Sequence, residues 1–116
     1  MTKKWRWHHA TITSPARGKG NYRVEKLHTH SGARVAWHCK GRNDFVIWFP
    51  KKRNPLARIN EVNSINGSAT ARVKSFALSR EKKKHFCYCA LVWVGKGKQR
   101  RARLVVGNSP PEMIVE

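Results

Sequence analysis

Residues 33–50, ARVAWHCKGRNDFVIWFP, hold the most regular pattern in the chain. Ala33, Val35, Trp37 and Cys39 alternate with Arg34, Ala36, His38 and Lys40. A period of two marks a strand with one buried and one solvated face. Gly41-Arg42-Asn43-Asp44 is turn chemistry. Residues 45–49, FVIWF, then run apolar, aromatic and β-branched until Pro50, which predicts a strand covered on both faces. Two such strands joined by a short polar turn predict the centre of a β-sheet.

The rest of the chain supplies more strands of the same kind. Residues 22–27 (YRVEKL) read as a short strand, and 28–32 (HTHSG) as the turn into the central pair. Residues 56–62 are loosely spaced and read as one helical turn or an irregular crossover. Residues 69–78 (ATARVKSFAL) set Arg72 and Lys74 on one face and Ala71 and Val73 on the other. Residues 85–94 (HFCYCALVWV) are too apolar for a sheet edge and read as the second core strand. Residues 101–106 return as a strand after a basic hairpin loop, and EMIVE closes the chain as another. About seven strands, with turn signals every eight to twelve residues, predict an all-β fold: a single antiparallel two-sheet sandwich.

At 116 residues the chain is long enough for one domain with its own core. No apolar run reaches the length of a membrane span, and residues 1–9 lack the apolar stretch of a secretory signal. Three cysteines, an odd number, fit free thiols in a reducing compartment. A cytoplasmic setting is the expectation.

Charge is the strongest functional signal. Twenty-five Lys and Arg stand against six Asp and Glu, a net charge of +19. Charge of that density repels itself and attracts polyanions, and solubility alone does not call for so one-sided a balance. Residues 1–20 carry Lys3, Lys4 and Arg6 among Trp5 and Trp7, with no acid. They read as a basic arm ahead of a domain over 21–116, its indoles available to stack on bases or to pack as an extra strand. Further clusters are Lys51, Lys52 and Arg53; Lys82, Lys83 and Lys84; and Lys96, Lys98, Arg100, Arg101 and Arg103. Distributed loops of this kind predict contact with a phosphate backbone more than readout of bases.

Catalysis has little support. No paired carboxylates, Ser-His-Asp arrangement or Gly-rich phosphate loop is present. Cys87 and Cys89 fall two apart on a strand, with His85 on the same face, and thiolates with an imidazole suit zinc or copper(I). A Cys-x-Cys pair in a core strand is more often small apolar filling, and that is the expectation here. The His28 and His30 pair reads as solvated turn residues.

The order of these pieces resembles a cupredoxin-like or immunoglobulin-like sandwich. Val35-Ala36-Trp37 followed by the 45–49 strand, the alternating Phe86-Cys87-Tyr88-Cys89, and the closing GNSPPEMIVE carry the resemblance. The last is similar to the ending of small bacterial sandwich proteins. The copper ligands do not carry over. Phe45 or Asp44 stands where the resemblance implies a histidine, and Val92 or Ala90 where it implies another ligand. The resemblance implies architecture alone. The combined expectation is a non-enzymatic β-sandwich module that binds nucleic acid or another polyanion, without a cofactor. The alternatives are a metal-binding relative using His85, Cys87 and Cys89, or a subunit that assembles with an acidic protein.

Overall fold

The computed structural model describes residues 7–15, 21–75, 83–106 and 111–116. Eleven strands lie among them: β1 (Trp7–Thr13), β2 (Arg23–Val24), β3 (Leu27–Thr29), β4 (Arg34–Cys39), β5 (Phe45–Trp48), β6 (Glu61–Asn63), β7 (Ser68–Arg72), β8 (Lys84–Cys87), β9 (Cys89–Val94), β10 (Arg101–Leu104) and β11 (Glu112–Val115). They form three sheets, in the orders β2-β1-β4-β7, β10-β9-β5-β6 and β3-β11-β8. The fold is all-β, as the alternation predicts. It is not a two-sheet, seven-strand arrangement. Two runs of chain change partners midway and each counts as two strands. Residues 23–24 pair with β1 and residues 27–29 with β11. Residues 84–87 pair with β11, and residues 89–94 with β5 and β10. Nor is it wholly antiparallel, since β1 pairs parallel with β4 and β3 parallel with β11. No helix among the described residues is long and apolar enough to cross a membrane.

Residues 45–48 and 89–94 are central as the sequence puts them, but residues 85–87, expected as part of one core strand away from any edge, belong to β8 at the edge of the third sheet. β5 and β9 are the inner strands of one sheet, and Phe45, Ile47 and Phe49 point into the core with Ala90 and Val92. Val46 and Trp48 are only half-buried, so β5 is covered fully on one face. In β4, Val35, Trp37 and Cys39 are buried as the alternation requires. Ala36 is buried too, flanked by His9 and Thr70 in the adjacent strands. β4 and β5 do not pair with each other; the turn between them carries the chain from one sheet to another.

Part of the expected arm is a core strand. Within residues 7–13, Ala10 and Ile12 are fully buried against the interior, and β1 sits between β2 and β4. The basic composition around it hides an inward alternation of only two apolar residues. Histidines 28 and 30 are also not both in a turn, because His28 lies within β3.

Tyr88 joins the sheets. It falls between β8 and β9, is 3% exposed, and its hydroxyl accepts a hydrogen bond from the Trp37 indole N–H at 3.1 Å. The Trp37 ring meets it edge-on at 5.9 Å between centroids, and Phe49 packs at 4.9 Å. Burial pushes the Tyr88 phenol up to about 12, against a lowering by the Trp37 hydrogen bond and a small raising by Glu25. The unfolded chain loses this proton near pH 10 and the folded one near 12, so the unfolded state gains from each step upward in that window. Stability is therefore expected to be unaffected by Tyr88 below pH 10 and to fall between pH 10 and 12, by up to roughly 3 kcal/mol. Urea melts across this range check it; a Tyr88→Phe variant should show a flatter decline.

A tight turn at Asn66-Gly67, both at positive φ (54° and 77°), returns the chain into β7. A β-carbon on Gly67 would stand 2.6 Å from the Arg42 Cα, so only glycine fits this approach of two turns.

Candidate nucleic-acid interface

Lys51–Arg53 forms a short 3₁₀ turn directly after β5, with all three residues exposed. The antiparallel register sets Trp48 opposite Cys89. Past that pair the chain of β9 belongs to the third sheet, and the turn meets it at the start of β8. Arg53 fixes the contact: its guanidinium donates to the His85 carbonyl at 3.0 Å and lies 5.8 Å from the centre of the Phe86 ring. Lys74 joins from the end of β7, where its N–H donates to the Pro55 carbonyl at 2.7 Å.

Between these segments lies a cleft of about 620 Å³, lined by Lys51, Lys52, Arg53, Asn54, Lys74, Lys83, Lys84, His85 and Phe86. Six of the nine are Lys or Arg and none is acidic. Like charges held this close raise the local potential and concentrate anions. Among the described residues Phe86 is the only apolar wall, which distinguishes the cleft from the largely apolar pockets that bind small molecules. Two carboxylates stand just outside. Glu112 meets His85 Nδ1 at 2.6 Å, and Glu116 meets His28 at 3.0 Å and Lys83 at 3.5 Å. The His28 hydrogen bond, ahead of Lys83, holds the Glu116 carboxyl below the usual carboxylate range.

The other predicted cations group elsewhere. Lys96 and Arg100 line a smaller depression of about 360 Å³ with residues 41–44 and Trp93, at the far end of β9 from the cleft. Arg100 lies 4.7 Å over the Trp93 ring and 3.9 Å from Asp44. Lys98, Arg101 and Arg103 are exposed on the adjoining turn and on β10. Lys3, Lys4, Trp5, Arg6 and Lys82 lie outside the described residues, as does the Trp7 side chain. Lys74 was not legible as a site residue, because nothing in its strand pattern separates it from any solvated lysine. The sequence also leaves hidden that the 51–53 and 83–84 clusters share one cleft.

The thiols are placed otherwise than expected. Cys87 and Cys89 are exposed, and the core takes Phe86 and Tyr88 instead. Two aromatic rings bury far more apolar surface than two thiols, so the alternation settles that way round. His85 shares the outward face, yet no group of three or more His, Cys, Asp or Glu among the described residues is placed to hold a metal ion. Cys39 is buried, and that burial pushes its thiol up despite a lowering backbone hydrogen bond at Asn43. A thiol reagent at mild alkaline pH should therefore modify Cys87 and Cys89 rapidly in the folded protein and Cys39 only on unfolding. Mass spectrometry of the native adduct checks this: three fast labels, or none, would show a different packing.

The chain matches no family model, no curated protein and no solved structure.

Proposed function

We propose that this protein is a non-enzymatic module that binds nucleic acid, or a polyanion of similar charge density, through the cleft between residues 51–54, Lys74 and residues 83–86. The observation that supports it is the convergence of six cationic side chains, with no carboxylate among the described residues of the lining. A solvated surface has no need to gather cations from three segments of chain against their mutual repulsion. A polyanion offsets that repulsion and releases condensed counterions on binding. The resemblance to cupredoxin-like or immunoglobulin-like sandwiches is carried as a proposal of architecture, supported by a core enclosed between sheets. A cytoplasmic setting goes with it, supported by the odd number of cysteines.

The test is fluorescence anisotropy of a labelled oligonucleotide across a salt series. If all six cations meet phosphates of a duplex, log K should fall against log salt with a slope of about −5. Weak binding with no salt dependence would refute the reading. Stronger, salt-independent binding of an acidic protein would favour an assembly role instead.

A further inference from the structure

Beyond the cleft, one face of the molecule combines aromatic and cationic groups in an order that its core does not require. The alternation of residues 85–93 runs unbroken through Tyr88, although the strand changes sheets there. Phe86, Tyr88, Ala90 and Val92 point inward and are at most 6% exposed. His85, Cys87, Cys89, Leu91 and Trp93 point outward. Cross-strand partners share a face. Trp48 stands opposite Cys89, and Val46 and Leu104 stand on either side of Leu91. The outer face is therefore apolar across three strands, with Trp93 37% and Leu104 56% exposed.

An outward apolar face is unexpected on a chain of net charge +19. Its ends give it a direction. At the Lys84 end lies the cationic cleft, and at the Val94 end lie Lys96 and Arg100. The outward residues from 85 to 93 span about 26 Å at the usual rise of a strand. The face thus reads, along one strand, as cations, an apolar lane holding two indoles, and cations again. Glu112, Glu61 and Asp44 flank the lane; the first is bonded to His85, the second to Asn63, and the third lies 3.9 Å from Arg100 beside Trp93.

We propose that this lane is a track for single-stranded nucleic acid, with Trp48 and Trp93 as base-stacking platforms and the cations at both ends as phosphate anchors. The inference rests on the polyanion reading of the cleft and extends it to the kind of strand bound. Single strands expose base faces that stack on aromatic side chains in a sequence-tolerant way, while their backbone follows positive charge. A duplex offers this face only its phosphates and leaves the indoles unused. A polyanion without bases does the same. Arg100 covers one face of the Trp93 ring at 4.7 Å, so a base stacks on the other face or on the guanidinium plane, and either way its phosphate lies close to a cation.

The experiment compares four probes at one moderate salt concentration: a short oligothymidylate, the same strand with abasic sites, a duplex of equal length, and heparin. The base-bearing strand should bind about tenfold or more tightly than the abasic one. Trp93→Ala should cut that difference severalfold, with Trp48 keeping the rest, and should weaken abasic and heparin binding much less. Trp93→Phe should restore most of it; since Trp93 is only 37% exposed, Trp93→Ala is expected to lower the melting temperature, and binding is compared well below the melting temperature of each variant. Equal affinity for base-bearing and abasic strands, with heparin still bound, would overturn the track but not the cleft. Absence of salt-sensitive binding to every probe would remove both. Trp93-dependent self-association in sedimentation without a base preference, or oligoglutamate bound as tightly as oligothymidylate, would make the face a protein interface and overturn the track.

Discussion

Trp37→Ala is expected to cost about 3–5 kcal/mol of folding free energy, a large part of the stability of a domain this size. The indole is fully buried, and it is held from two directions. Its ring packs edge-on to Tyr88, and its N–H is satisfied by the Tyr88 hydroxyl. Truncation empties the space between β4 and the β8–β9 junction and leaves a buried hydroxyl without its partner. Tyr88→Phe separates the two contributions. It keeps the packing but strips the indole N–H of its acceptor, for an expected loss of about 1–3 kcal/mol. Urea denaturation of both variants provides the comparison. A near-neutral Trp37→Ala would mean that the β4 side chains face the other way.

Replacing Lys51, Lys52 and Lys74 together by Gln is expected to weaken polyanion binding on the order of 100-fold or more at 0.1 M salt. Each phosphate contact releases nearly one counterion, worth roughly a decade of affinity at that concentration, so three contacts compound. The slope of log K against log salt should flatten by about 3. All three side chains are exposed, so the melting temperature should hold. Arg53 is left in place because its guanidinium ties the turn to the His85 carbonyl, and losing it would confound binding with structure. The same measurement on an Arg23→Gln, Lys40→Gln pair, which lines neither the cleft nor the depression at the far end of β9, sets the cleft against charge elsewhere. An equal loss per charge at both places would mean that the protein senses net charge and that the cleft has no special part.

Much of the centre of this fold is written in local pattern. The alternation of β4, the apolar run of β5 and the density of β9 reflect which side chains can be hidden, and burial enforces the reading directly. What the pattern does not carry is pairing. Tyr88 keeps the period of two while the strand leaves one sheet for another, so nothing along the chain marks the change. β1 is hard to see because its inward residues, Ala10 and Ile12, are few and the cations and histidines around them suggest a solvated tail. The two faces of the 85–94 strand were legible, but not which of them faces in; the greater size of Phe86 and Tyr88 decides it. The cleft is a matter of tertiary contact: lysines 51 and 84 come to line it only once the 51–53 turn meets β8, far away along the chain.

The position of β11 has a consequence in time. It lies in the middle of its sheet, parallel to β3 and antiparallel to β8, although β3 precedes it by more than eighty residues. As the chain leaves the ribosome, β3 and β8 emerge as two margins of a sheet whose centre does not yet exist. Leu27 and Phe86 have no Met113 to meet, and their backbone edges stay open to other chains. Sheet closure therefore waits for residues 112–115, and a nascent chain stalled at Val106 should be protease-sensitive at both margins. Non-local closure of this kind is slow. A refolding rate limited by the docking of β11 should respond to Met113→Ala, if that contact is formed at the barrier, and a change confined to the unfolding rate would place it later.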